Sequence, residues 1–177
     1  FCWGDHRTGR KAHVSATVYI SLGSNVGRDR NIRLAIKEMR SAFGELRLSP
    51  VYESASVGFD GSDFLNLVAG LETESDVREV VQELRAIEDR LGRDRTQPRF
   101  SPRPIDLDIL TYDDLVMDEQ GIQIPRQEIL QNAFVLKPLC DIAPETLNPL
   151  VKKDYQTLWF EMAPDAPRLD IYDLALD

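Results

Sequence analysis

Residues 105–112 read IDLDILTY. Apolar and polar residues alternate, the period of a strand with one buried face. Ile105, Leu107 and Ile109 are expected to face a core, which turns Asp106 and Asp108 together to the opposite face, α-carbons roughly 6.5 Å apart. The preceding stretch, RDRTQPRFSPRP (93–104), carries three prolines and no period, and reads as a loop. Before it, Val77, Val80, Val81, Leu84, Ile87 and Leu91 form one apolar stripe that stops at Gly92, with Asp76 and Glu79 spaced as a capping box. That is a helix. Further back, Leu46–Val57 and Phe64–Thr73 read as strands joined by GFDGSD. Ile32, Ala35, Ile36, Met39 and Phe43 place a helix over Asn31–Phe43, closed by Gly44. The strand Thr17–Leu22 and the turn GSNVG come first. IDLDILTY thus completes the order β-α-β-β-α-β, an α+β, ferredoxin-like sheet with helices on one face. Extra C-terminal strands and helices follow: extended segments at Leu115–Met117 and Ile122–Ile124, and a helix over about Asn132–Leu139. The last thirty residues are polar and proline-punctuated, with an apolar TLWF patch (157–160) to which no function is assigned.

The chain has 177 residues, 42% of them hydrophobic, enough for one substantial core and short for two. Thirty acids against 21 bases leave a formal charge of −9, so an anion site must be a local basic patch and nucleic acid is repelled at long range. Cys2 and Cys140 lack metal-ligand spacing and form no disulfide framework, which fits a reducing cytoplasm. No apolar run approaches the length of a membrane span, and residues 1–16 lack the apolar segment of a secretory signal. Those residues read as an N-terminal extension, a native leader or an artificial remnant, ahead of a single domain over 17–177. The only histidines, His6 and His13, lie in it. If the extension is dispensable, the chemistry runs without histidine.

Two carboxylates held close on one strand repel each other, and a divalent cation relieves that repulsion. Oxygen ligands without His or Cys nearby favour magnesium over zinc. A solvated outer face of an edge strand is the bland alternative for Asp106 and Asp108. The neighbouring loop weighs against it: Arg93, Arg95, Arg99 and Arg103 are balanced there only by Asp94. Guanidinium groups clamp phosphate oxygens, so arginines beside an Asp-x-Asp pair suggest a polyphosphate substrate. A plain solvated basic loop would explain the charge alone. The rival function is RNA binding, since the same strand order hosts RNA-recognition domains, but those stack bases on aromatics where this strand carries Asp106 and Asp108.

The stretches YISLGSNVG, YESASVG, FLNLVAGLET, IEDRLGRDR, PRPIDLDIL and FVLKPLCDIAP, in this order over about residues 17–145, resemble the 6-hydroxymethyl-7,8-dihydropterin pyrophosphokinase family of folate biosynthesis. The resemblance implies that Asp106 and Asp108 bind two magnesium ions and, with Arg93 and Arg103, form the catalytic set. It puts Glu88, Arg93, Arg95, Arg103 and Ile109 on the ATP side. It makes Phe64 and Phe134 the two faces of a pterin slot, Asn66 the amide on the ring's polar edge, and Ser54 and Val57 strand-end positions beside it. Two apolar faces and a directional amide are what a flat heterocycle with a donor and acceptor edge requires. Arg99 and Phe100 fall in a loop expected to open without ligand and close over both substrates. GSN, which is no Walker loop, is taken as a backbone turn on the pterin side.

The implied reaction moves a diphosphate from ATP to the acceptor's hydroxymethyl group, with AMP as the other product. A monomer in the cytoplasm is expected, with small-molecule substrates and neither nucleic acid nor membrane as partner. A regulatory pterin-binding paralogue is the other alternative. The chain departs from the family's usual pattern at Ser54-Ala55-Ser56, Pro125-Arg126 and Gln131-Asn132, where a Thr-x-Pro, a Pro-His pair and an arginine are common.

Overall fold

Why the strands pair in one register follows from their alternation. In β1 (Ala16–Ser24), β4 (Phe64–Thr73) and β5 (Asp106–Tyr112), the residues Val18, Ile20, Leu22, Leu65, Leu67, Leu71, Leu107 and Ile109 are buried on one face. A slip of one residue would expose them, at about 1.5–3 kcal/mol per large aliphatic, and push Asp106 and Asp108 into the core. The computed structural model, which describes residues 14–55, 62–98 and 103–176, shows the resulting antiparallel pairing: β1 lies between β4 and β5, with Gly23 opposite both Asn66 and Asp106.

The remaining elements are α1 (Arg28–Phe43), β2 (Arg47–Leu48), β3 (Val51–Ser54), α2 (Val77–Arg90), β6 (Met117–Glu119), β7 (Ile122–Ile124), α3 (Glu128–Gln131), α4 (Ala133–Ile142), α5 (Tyr155–Met162) and β8 (Asp170–Tyr172). The main sheet runs β5-β1-β4-β3-β8, with β2 also on β4, and β6 and β7 form a separate hairpin. The fold is thus mixed, with an antiparallel sheet and five α-helices among the described residues. None of those helices is long and apolar enough to cross a membrane.

Several boundaries move from their sequence expectations. The single strand Leu46–Val57 divides at Ser49-Pro50, because Pro50 has no N–H for the ladder. Ser49 spans the break: its N–H donates to the Val68 carbonyl at 3.0 Å, and its hydroxyl accepts from the Val68 N–H at 2.9 Å. Ala16, assigned to the extension, is buried and pairs with Thr73. Residues 1–13, with both histidines and Cys2, lie outside the described residues. Helix α1 starts at Arg28 because Gly27, at φ 53°, turns the chain in the left-handed region that glycine tolerates. The expected capping box of α2 is present, with reciprocal bonds of 2.9 Å between Asp76 and Glu79.

The expectation of helices on one face needs enlarging. Helices α1 and α2 cover the aliphatic face, while α4 and α5 cover the other, where Tyr19, Val68 and Leu110 meet Leu136, Leu139 and Tyr155. Asp106 and Asp108 share this second face with Leu110, since all three alternate with Leu107 and Ile109. They stand on the edge strand of the sheet, beside the part of this face that α4 covers, and the last thirty residues build part of that second layer. The same segment supplies β8, pairing Ile171 with Tyr52 along the outer edge of β3.

Candidate active site

One row crosses the sheet at the level of Asp106. Gly23 on β1 sits beside it, Asn66 on β4 beside Gly23, and Tyr52 on β3 beside Asn66. Directly paired residues point to the same face, so the row lies under α4. Gly23 offers no side chain and leaves a gap between the carboxylate and the amide. The Asn66 amide donates to the Ser54 hydroxyl at 2.7 Å, and its Oδ1 lies 3.4 Å from where a Cβ on Gly23 would stand. The oxygen therefore faces the gap. Tyr52 donates its hydroxyl to the Asp141 carboxylate, which also accepts from Lys137 at 2.7 Å, so β3 is bolted to α4. An RNA platform finds no support in this row, where no aromatic ring occurs before Tyr52 and its hydroxyl is turned to Asp141.

The gap opens into a cavity of about 360 Å³, lined by Gly23, Ser54, Phe64 and Asn66 from the sheet and Phe134 from α4. Four of the five residues expected to hold an acceptor ring thus converge. Val57, the fifth, lies outside the described residues. A second cavity of about 220 Å³ is lined by Glu88, Arg93, Arg95, Arg103 and Ile109, together the whole set expected on the nucleotide side. Ile109 is 6% exposed, so it offers that cavity little more than an apolar edge. Arg103, Asp106, Asp108 and Arg126 line both cavities. Arg99 and Phe100 lie outside the described residues.

The basic segment is anchored at both ends. Gly92, at φ 95°, turns the chain after α2, and the Arg93 N–H returns to the Glu88 carbonyl at 3.0 Å. At the other end Asn25 grips Arg103, its Oδ1 accepting from the Arg103 N–H at 2.7 Å and its own N–H donating to the Arg103 carbonyl at 3.2 Å. The Ser24 hydroxyl donates to the Pro104 carbonyl. The GSN turn, of which Gly23 lines the first cavity, therefore also holds the base of the arginine segment. Sequence reading missed this, since a three-residue turn carries no sign of what it clamps.

Mutual repulsion among the arginines is offset by carboxylates. Asp106 accepts from Arg93 and, at 3.0 Å, from Arg103; Glu88 lies 3.7 Å from both Arg93 and Arg95; Asp89 accepts from Arg95 at 3.0 Å. Asp108 has a looser partner, Arg126 at 3.6 Å. Burial pushes the Glu88 carboxyl up to about 7, with Asp106 and Asp108 adding to the rise and Arg93 and Arg95 opposing it. The Asp108 side chain is 42% exposed, but to a walled cavity, and desolvation there raises its carboxyl despite Arg126.

Does this donor set fit a divalent cation? Among the described residues no group of three or more His, Cys, Asp or Glu side chains converges as a metal cage. The set is two carboxylates on the wall common to both cavities, beside cationic side chains suited to phosphate. Magnesium is commonly held this way, by one or two carboxylates with substrate phosphates and water in the other positions. The residues fit.

Residues 19–144 match the profile of the 7,8-dihydro-6-hydroxymethylpterin-pyrophosphokinase family. The 2-amino-4-hydroxy-6-hydroxymethyldihydropteridine pyrophosphokinase of Aquifex aeolicus is 34% identical over 78% of this chain and 87% of its own length. The enzyme of the same name from Pseudomonas aeruginosa is 37% identical over 75% and 83%. The mitochondrial folate synthesis bifunctional protein of Arabidopsis thaliana is 36% identical, but the match covers only 26% of it. Among solved structures, Plasmodium falciparum HPPK-DHPS with pteroate superposes with a TM-score of 0.70 at 13% identity, over 86% of this chain and 44% of that one, a likeness of fold. With its two cavities meeting at an aspartate pair, the chain belongs to the 7,8-dihydro-6-hydroxymethylpterin-pyrophosphokinase family.

Proposed function

We propose that the larger cavity takes the pterin, the smaller one the ATP phosphates, and that Asp106 and Asp108 hold magnesium between them in this ATP-dependent diphosphotransferase of folate biosynthesis. The observation that carries the reading is the shared wall: two carboxylates and two guanidinium groups are common to both cavities, where the transferred group must pass. The acceptor's hydroxymethyl oxygen bonds to the β-phosphorus of ATP. The bond from that phosphorus to the oxygen bridging the α-phosphorus breaks, AMP leaves with the electron pair, and the hydroxyl proton goes to water.

The chain's own residues do the positioning. Phe64 and Phe134 clasp the ring, and Asn66, oriented by Ser54, presents Oδ1 to a donor on its edge. Gly23 lets the ring lie low enough for its hydroxymethyl group to reach the aspartates. Arg93, Arg95 and Arg103 exchange carboxylate partners for phosphate oxygens, which retain charge-assisted bonding throughout. Bound magnesium, two ions in this proposal, would neutralise phosphate charge and lower the hydroxyl pKa. The proposal also takes the β5-β1-β4-β3 order as ferredoxin-like, and includes a monomer acting in the cytoplasm.

The test is AMP formation from ATP and 6-hydroxymethyl-7,8-dihydropterin by the wild type, Asp106→Asn and Asp108→Asn. Losses of at least about a thousandfold with unchanged circular dichroism support the assignment, since a lost cation site costs several kcal/mol of transition-state stabilisation. Near-normal turnover in either variant at saturating magnesium refutes it.

A further inference from the structure

The two aspartates are held very differently. Asp106 accepts hydrogen bonds from two guanidiniums, whereas the Asp108 carboxylate accepts none among the described residues; its ion-pair partner there is Arg126, at 3.6 Å, with the charge of Arg103 acting on it more weakly. Arg126 itself is fixed elsewhere. Its N–H donates to the Leu110 carbonyl at 2.9 Å, which ties its backbone to β5, and its guanidinium donates to Glu128 Oε1 at 3.2 Å. Glu128 Oε2 is buried without a hydrogen-bond partner among the described residues. A carboxylate accepts two parallel bonds from a guanidinium, so Glu128 has an acceptor in reserve for the donor that Arg126 now directs at Asp108. A buried, unsatisfied carboxylate oxygen is costly, and a second bond from Arg126 would remove that cost.

We infer that Arg126 is an exchange residue, a counter-cation on Asp108 until a divalent cation takes that carboxylate, and thereafter held by Glu128 on the wall between the two cavities. This rests on the reading of Asp108 as a metal ligand. Glu128 acts chiefly through Arg126 and is a positioning residue; its own charge on Asp108 is a smaller effect than that of Arg126. Released from Asp108, Arg126 keeps its place beside both cavities and turns its outward N–H donors to the anion that passes between them. The arrangement lowers the cost of emptying the metal site: without the cation, Asp108 keeps a positive neighbour, and with it, Arg126 has another seat. Sequence reading saw Arg126 only as a departure from a pattern and did not single out Glu128.

Manganese titration of the ligand-free protein, read by electron paramagnetic resonance, tests the exchange apart from turnover. Arg126→Gln removes the competitor and is expected to tighten manganese binding about fivefold, the effect of a partly exposed pair contributing about 1 kcal/mol. Glu128→Gln removes the alternative seat and is expected to weaken binding by a similar factor. The decisive variant is the double one. If Glu128 acts through Arg126, adding Glu128→Gln to Arg126→Gln changes manganese affinity less than about twofold, whereas independent through-space charges give effects that add in full. Full additivity, or an Arg126→Gln variant with unchanged affinity, overturns the exchange. Asp108→Asn separates the two claims: manganese binding that this variant does not weaken overturns the metal reading and the exchange with it. Binding lost in Asp108→Asn but unaltered in Arg126→Gln overturns the exchange alone.

Discussion

Replacing Glu88 by Gln should change how stability depends on pH. The Glu88 side chain is only 7% exposed, so its ionisation is little screened by solvent, and its carboxyl is pushed from 4.5 up to about 7. Desolvation is the main cause, with the charges of Asp106 and Asp108 next. The folded state therefore binds this proton more tightly than the unfolded chain. The contribution is stabilising below pH 4.5, declines as pH rises through the window to 7, and is flat above it. A rise of this size, at 1.36 kcal/mol per unit, corresponds to about 3 kcal/mol lost across the window. Gln resembles the protonated acid and lacks that slope. Urea unfolding with a chelator present, at half-unit steps from pH 4.5 to 8.5, should show the variant gaining about 3 kcal/mol on the wild type between the ends. Taking the difference cancels groups that titrate alike in both proteins. Parallel stability curves would refute the claim that Glu88 is buried against the aspartate pair, and a gain that grows below pH 4.5 would refute the sign.

Three further outcomes follow from the geometry. Gly23→Ala puts a methyl group into the gap beside Asn66; it should weaken pterin binding about tenfold or more in calorimetry, leave ATP-analogue binding within about twofold, and change stability by less than about 1 kcal/mol because the backbone is ordinary strand. Asn66→Ala removes the partner of Ser54 and the acceptor on the ring's edge, so pterin affinity should fall by about 1–3 kcal/mol with little change in the Michaelis constant for ATP. Tyr52→Phe breaks the bolt to Asp141 on α4, and chemical denaturation should register about 1–3 kcal/mol of lost stability.

The core strands and α2 were legible because their apolar period is set by a single buried face. IDLDILTY needs only alternation to give Asp106 and Asp108 a common side, and the α2 stripe carries its own cap signal. Of the sheet's second helical layer, α4 was read at about Asn132–Leu139, but α5 was not, nor was β8, because α5 is short and β8 is three residues long, and each is fixed by what it meets across space. The resemblance located residues from distant segments, Glu88 and Arg103 for one cavity and Phe64 and Phe134 for the other, and the fold brings each group to one wall. Asn25 and Glu128 were missed for one reason: their partners, the Arg103 backbone and the Arg126 guanidinium, are set by tertiary contact and by a two-residue spacing that has no period.

Diffraction at a wavelength that reveals manganese, from crystals of the protein with Mn²⁺, a non-hydrolysable ATP analogue and 6-hydroxymethyl-7,8-dihydropterin, tests the two-cavity arrangement most directly. The account predicts anomalous peaks within coordination distance of Asp106 and Asp108, the ring between Phe64 and Phe134, and the β-phosphorus facing the hydroxymethyl oxygen across the shared wall. Manganese bound away from both aspartates, or a ring seated in the arginine-lined cavity, would contradict it.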